Sequence, residues 1–249
     1  MSATKPGAVI GTGATADVLA YGADVLKLYH AGVGREPADR EGAILDALEE
    51  AGIAAPRSRG VIAHDGRWGL VMTRASGRPF AEAMLARPEV VPAYIEALVA
   101  LQLSLHAVSV PGLRPYAARL GEHIGRAGRL PPAQRERLLE RLVQMPVADR
   151  LCHGDFHPFN VLGVPGNAVI IDWVDATAGP PLADLARTYV LLHQFAPAIA
   201  TAHVERYLAI SGADRAEMEA WLPLVAAGRL AENASADEIA GLLALAAAG

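Results

Sequence analysis

The chain has 249 residues, a formal net charge of −5 and a hydrophobic fraction of 52%. That apolar content is ample for a packed core and excludes a disordered chain. The acidic balance, with no Lys/Arg cluster, excludes a nucleic-acid footprint.

The lone cysteine, Cys152, rules out an internal disulfide and fits a reducing compartment. The longest apolar stretches, near residues 190–200 and 239–248, fall short of the ~20 residues that a membrane span requires. No basic-then-apolar leader opens the chain. A cytoplasmic, soluble protein with no membrane or nucleic-acid partner is therefore expected.

Residues 9–30 read as three short strands with tight connections. GTGATADV, residues 11–18, has the form G-x-G-x-x-A-x-V. A dinucleotide-binding G-x-G-x-x-A must open a helix. Here the motif runs into Asp17–Tyr21, a turn at Gly22 and then Val25-Leu26-Lys27-Leu28-Tyr29, which is strand, turn, strand. Gly11 and Gly13 thus suit a loop whose backbone N–H groups approach phosphate. The plain alternative is an ordinary β-turn.

Lys27 is one of only two lysines, the other being Lys5; every other basic side chain outside the histidines is arginine. On the strand after a glycine loop, a compact ammonium suits the α/β-phosphates of a nucleotide. The competing reading is a solvent-facing lysine on an alternating strand. Residues 37–51 read as a helix with Pro37 near its start, an apolar stripe at Ala43, Ile44, Ala47 and Leu48, and Gly52 as its stop.

Residues 59–64 and 68–72 flank the Asp65-Gly66 turn of a hairpin. Residues 73–78 then form a hinge, with a domain boundary expected after residue 75. From Phe80 onward the chain reads as helical, with segments at 90–108, 115–129 and 131–144. Further helices are expected at 181–194, 197–210 and 214–227. The last helix is opened by a capping box at Ser235 and Glu238. His106 reads as a packed core histidine.

Residues 151–176, LCHGDFHPFNVLGVPGNAVIIDWVDA, carry the densest chemistry. His153, Asp155 and Asn160 fall in an H-x-D-x-x-x-x-N pattern. A Pro165-Gly166-Asn167 turn then leads an apolar run to Asp172, so the segment reads as a hairpin ending in a carboxylate. In kinase-type phosphoryl transfer, a loop Asp accepts the substrate hydroxyl proton. The Asn five residues on and an Asp after a following strand hold Mg²⁺. Mg²⁺ takes few, hard oxygen ligands from protein, which Asn160 and Asp172 would supply. Taken singly, each of these residues could instead be a turn former or a strand cap.

HGDFHPFN, then IDWVDA, then GPPLADLAR resembles the aminoglycoside phosphotransferase and choline-kinase-like family of small-molecule kinases. The resemblance is specific over residues 151–187. It implies an α+β, two-lobed kinase fold, with residues 1–75 as a nucleotide-binding lobe and 76–249 as a catalytic and acceptor-binding lobe. It also implies ATP (or GTP), Mg²⁺ and a small-molecule hydroxyl acceptor.

By the same resemblance, Glu41 holds Lys27, and the backbone around Thr73 and Ala75 faces the adenine. Asp184 supports the catalytic loop, and His153 orients it. Val174 stands where the protein-kinase DFG motif has glycine, which argues against a mobile switch there.

Two alternatives use the same residues. His153, Asp155 and His157 alternate as ligands of a metal-dependent hydrolase would. The chain could also be a kinase-fold nucleotide binder without turnover.

Overall fold

The computed structural model describes residues 5–232 and 234–248. In chain order the elements are β1 (Val9–Thr12), β2 (Ala16–Tyr21), β3 (Asp24–Tyr29), α1 (Glu36–Glu50), β4 (Ser58–His64) and β5 (Arg67–Thr73). There follow α2 (Phe80–Ala86), α3 (Val91–His106), α4 (Tyr116–Arg126), α5 (Pro132–Gln144), β6 (Arg150–Cys152), β7 (Val161–Val164), β8 (Asn167–Ile170) and β9 (Thr177–Gly179). The chain closes with α6 (Pro181–His193), α7 (Pro197–Ser211), α8 (Arg215–Glu219), α9 (Leu222–Arg229) and α10 (Ala236–Ala247). The fold is mixed α+β, a sheet-rich N-terminal part followed by a helical remainder. It divides into two compact units, Met1–Arg78 with Val161–Asp175, and Pro79–Asn160 with Ala176–Gly249.

The first unit is built on an antiparallel sheet in the order β1-β2-β3-β5-β4. Strand side chains alternate between faces, so β3 serves two cores. Leu26 and Leu28 pack with Val71, Leu19, Tyr21 and Ile62 on one face. Lys27 pairs with Leu70 in register and so shares the opposite face. Helix α1 covers that second face, since a Cβ on its Gly42 would touch Leu70 at 3.4 Å. This arrangement buries a lysine in the middle of a strand. The β4–β5 turn is of the expected kind, with Asp65 at φ 47° and Gly66 at φ 72°.

The hairpin β7–β8 belongs to this unit, although it lies far along the chain. Gly77 at φ +100° abuts Gly163 at φ +115°; a Cβ on Gly77 would stand 2.6 Å from the Gly163 Cα and N. The Gly163 N–H donates to the Arg78 carbonyl at 3.0 Å. Only glycine fits that crossing.

The second unit is helical around one short sheet. Strands β6 and β9 pair with Cys152 opposite Thr177, and loop 153–160 leaves from the end of β6. Helix α3 packs on α7, and α6 packs on α7 and α9. The 19-residue segment Pro88–His106 is long and apolar enough to cross a membrane, so the expectation that every apolar stretch falls short of a span does not hold. Its Gln102 and His106 are buried and hydrogen-bonded within the unit, as befits a core helix.

The helix expected over 214–227 is two helices instead, α8 and α9. Pro223 lies in the first turn of α9, where its missing N–H is tolerated; further into a continuous helix it would remove a bond. The Ser235 capping box of α10 forms in full, with the side chain accepting from the Glu238 N–H and Glu238 accepting from the Ser235 N–H.

Candidate active site

In the first unit the site is a buried ammonium held by two carboxylates. Lys27 Nζ lies 3.0 Å from Glu41 Oε1, 2.8 Å from Oε2 and 2.7 Å from Asp172 Oδ1. Lys27 is 9% exposed and Glu41 1%. Tyr29, two residues along β3 on the same face, donates its hydroxyl to Glu41 Oε2 at 2.9 Å. Burial alone would lower the Lys27 pKa, but Glu41 and Asp172 outweigh it and hold the ammonium well above the ordinary lysine range. The side chain is therefore a fixed positive charge at any physiological pH.

Asp172 follows β8 in a left-handed conformation, φ 63°. Aspartate adopts that region more readily than most residues, at a modest cost in strain. Its side chain is 40% exposed, so with Oδ1 on Lys27 the carboxylate can still present an oxygen to a ligand. Gly11 and Gly13 flank the β1–β2 turn, which the Gly13 N–H closes on the Ala16 carbonyl at 2.9 Å. Neither glycine has a positive φ. Thr73 is tied to Arg57 twice, its N–H donating to the Arg57 carbonyl and its Oγ1 accepting the Arg57 N–H, both at 2.9 Å. Ala75 lies two residues beyond β5 and is half-buried.

In the second unit the H-x-D-x-x-x-x-N segment forms a loop tied to the helical core. Asn160 Nδ2 donates to the Asp155 carbonyl and to Asp155 Oδ2, each at 2.9 Å. With both amide hydrogens spent on Asp155, the amide oxygen of Asn160 is the atom left to face a cation. His157 Nε2 also lies 3.4 Å from Asp155 Oδ2, so both of these side-chain contacts fall on Oδ2 rather than Oδ1. Burial would raise the Asp155 pKa, but the His157 hydrogen bond and the Arg187 charge hold it well below the usual carboxylate range. Its carboxylate is therefore held in the ionised form.

The loop is anchored from behind. Gly154, at φ 80°, donates its N–H to Asp184 Oδ1 at 2.8 Å, and its carbonyl accepts Arg187 Nε at 3.0 Å. Asp184 is fully buried and also accepts from Gln102 at 3.2 Å and His106 at 3.1 Å. Arg187 continues to Glu232 at 2.7 Å, where Arg229 also pairs at 2.9 Å. The roles of Arg187 and Glu232 were not foreseen from sequence. The signal available was Arg187 three residues after Asp184, one helical turn along the same face.

The Asn160 amide oxygen in the second unit and the Asp172 carboxylate in the first are each hard oxygen ligands of the kind Mg²⁺ takes. The hydrolase reading finds no support. His153 is buried with its Nδ1 accepting the Asp155 N–H at 3.2 Å, so it braces the loop. Among the described residues, no three or more His, Cys, Asp or Glu side chains gather as a metal site.

The family model described as the phosphotransferase enzyme family matches residues 9–221. Among solved structures, aminoglycoside-3'-phosphotransferase of type VIII is 23% identical with a TM-score of 0.63, covering 93% of each chain. Aminoglycoside phosphotransferase APH(3'')-Id from Streptomyces rimosus, solved with ADP and streptomycin, is 20% identical with a TM-score of 0.63, covering 87% of this chain and 91% of that one. Choline kinase LicA from Streptococcus pneumoniae is 14% identical with a TM-score of 0.65, covering 98% of this chain and 92% of that one. No curated protein sequence matches the chain.

Proposed function

The chain belongs to the phosphotransferase enzyme family, and we propose that it moves the γ-phosphate of ATP to a small-molecule hydroxyl through Lys27, Asp155, Asn160 and Asp172. The observation that carries this reading is the buried Lys27 ammonium between Glu41 and Asp172. A buried charge costs stability unless it is paired, and Glu41 and Asp172 supply that pairing. Here the charge is fixed in place, on the strand that follows the Gly11 and Gly13 turn.

In this reading Lys27 draws the α/β-phosphate oxygens, and Glu41 with Tyr29 keeps it from rotating away. Asp155 takes the proton from the acceptor hydroxyl as that oxygen bonds to the γ-phosphorus. The bond from phosphorus to the ADP oxygen breaks, releasing ADP. The transition state for such a transfer is loose, so most of the rate comes from positioning and charge. Asn160 and Asp172 would hold Mg²⁺, which when bound neutralises phosphate charge. Asn160 has a second task, since its amide fixes the Asp155 carboxylate. His153 and Asp184 hold the loop that carries Asp155. Gly11 and Gly13 would lie over the phosphates, and the main chain near Thr73 and Ala75 would meet the base.

We place the protein in the cytoplasm, where ATP is plentiful and the free Cys152 stays reduced. The test is calorimetric titration of MgATP into the wild type and Lys27→Ala, followed by phosphate transfer with Asp155→Asn. MgATP affinity unchanged by Lys27→Ala, or transfer unimpaired by Asp155→Asn in a folded protein, would overturn the reading.

A further inference from the structure

Within the second unit, Asp155 opens onto a cavity of about 570 Å3, a size that takes a drug-sized ligand. Its walls come from α2, loop 153–160, α6 and the start of α7, with Arg229 of α9 and Glu238 of α10, and its lining is mostly apolar. Met84, Leu85, Phe159, Leu191, Phe195 and Ile199 all face it. Three of these are exposed large hydrophobics, Leu85 at 75%, Phe195 at 66% and Phe159 at 56%. Apolar side chains clustered in one concave, open surface mark a ligand site more often than chance exposure.

The charges on that wall are few and already engaged. Glu238 accepts Arg229 at 3.0 Å and the Ser235 N–H at 2.8 Å, so it is committed to capping α10. Arg229 brings a positive charge to the same lining. With Asp155 and Glu238 negative and Arg229 positive, the lining carries one net negative charge, and that belongs to Asp155. A ligand with several ammonium groups would bury them here without carboxylate partners, which is costly.

We propose that the acceptor is a predominantly apolar alcohol, with its hydroxyl at Asp155 and its hydrocarbon body against Leu85, Leu191, Phe195 and Ile199. The inference rests on the reading of Asp155 as the residue that receives the hydroxyl proton. It deepens that reading by excluding polycationic aminocyclitols as the preferred substrates. The step is the one already written: the alcohol oxygen bonds to the γ-phosphorus, its proton passes to Asp155 and ADP leaves.

The test separates binding from turnover. Farnesol, testosterone, choline and kanamycin are titrated calorimetrically into the wild type, and their phosphorylation by MgATP is measured. Leu85→Glu and Phe195→Glu change side chains already more than half exposed, so both should fold. The expected result is that farnesol or testosterone binds at least about tenfold more tightly than kanamycin. Each glutamate variant should weaken that binding by about tenfold, because apolar contact is replaced by charge. Kanamycin or choline binding as tightly as the apolar alcohols, no measurable binding of either apolar alcohol, or an affinity unmoved by both variants overturns the proposal. Asp155→Asn distinguishes the two levels. Loss of transfer with kanamycin as the better ligand sinks only the apolar acceptor. Retained transfer in Asp155→Asn sinks the assignment of the base itself.

Discussion

Lys27 Nζ and Asp172 Oδ1 lie 2.7 Å apart, although 145 residues separate them in the chain. The contact joins a central strand of the N-terminal sheet to the residue that ends the β7–β8 hairpin. Glu41 completes the set from α1 at 1% exposure. Breaking a buried pair by removing one partner costs about 3–5 kcal/mol, since the remaining charge is stranded. Lys27→Met should therefore lower unfolding free energy by roughly that amount and abolish phosphate transfer. Adding Glu41→Gln should restore most of the stability and none of the activity, because the stranded carboxylate is gone and the phosphate-binding ammonium is still missing. Urea denaturation of the wild type and these two variants checks the first part and a phosphate-transfer assay the second.

Asp155 gives a pH signature. Its pKa is held well below the ordinary carboxylate range by the His157 hydrogen bond and the Arg187 charge, against the pull of burial. A base must be deprotonated, so activity from Asp155 survives as pH falls through 5 and is lost only below the usual carboxylate value. Asp155→Asn should cut kcat by about 10²- to 10⁴-fold and leave MgATP affinity unchanged. His157→Ala removes the hydrogen bond and should move the acid limb of kcat/KM to higher pH. A limb that stays in place in that variant would show that His157 does not set the basicity of Asp155.

The sequence carried those features whose causes are local. The strands of the N-terminal sheet, the Asp65-Gly66 turn and the Ser235 capping box all follow from period and turn chemistry within a few residues. The pairing of Lys27 with Glu41 follows from the resemblance to the small-molecule kinase family and not from any local pattern, since α1 also carries Glu36, Glu49 and Glu50. The proton inventory behind the loop was out of reach. That Arg187 meets the Gly154 carbonyl and then Glu232 depends on how α6 packs against the segment after α9, a tertiary fact with no local signature. The split between α8 and α9 falls just before Pro223, which sits in the first turn of α9 and interrupts the single helix expected over 214–227. The apolar cavity beside Asp155 was invisible for the same reason: its walls come from helices remote in sequence.

The Gly77–Gly163 crossing separates backbone strain from steric exclusion. Gly60 also has a positive φ, +111°, yet nothing lies within 4 Å of where its Cβ would be. Gly60→Ala should cost only the conformational term, about 1–3 kcal/mol. Gly77→Ala adds a Cβ 2.6 Å from the Gly163 main chain, which cannot move without breaking the bond to the Arg78 carbonyl. Gly77→Ala should therefore destabilise by clearly more than Gly60→Ala and displace the hairpin that carries Asp172. Equal unfolding free energies for the two variants would show that the crossing tolerates a side chain.

His203 sets how the protein responds to mild acid. It is 1% exposed, its Nε2 lies 2.7 Å from Gln102 Oε1, and its Nδ1 has no partner among the described residues. Gln102 donates through its own amide to Asp184 and Thr188, so its Oε1 accepts and the proton of a neutral imidazole sits on Nε2. Burial, reinforced by His106, pulls the His203 pKa from 6.5 down to about 4. The unfolded chain thus takes up this proton first as pH falls, and the folded state loses stability between about pH 6.5 and 4. At 1.36 kcal/mol per unit the loss amounts to about 3 kcal/mol. The depressed carboxylates Asp155, Asp184 and Glu232 act lower, their stabilisation fading only as pH falls through and below the ordinary carboxylate range. His203→Gln keeps a donor for Gln102 and cannot titrate. Its unfolding free energy should stay nearly flat from pH 6.5 to 4.5 while that of the wild type declines. Parallel curves for the two proteins would assign the mild-acid sensitivity to another group.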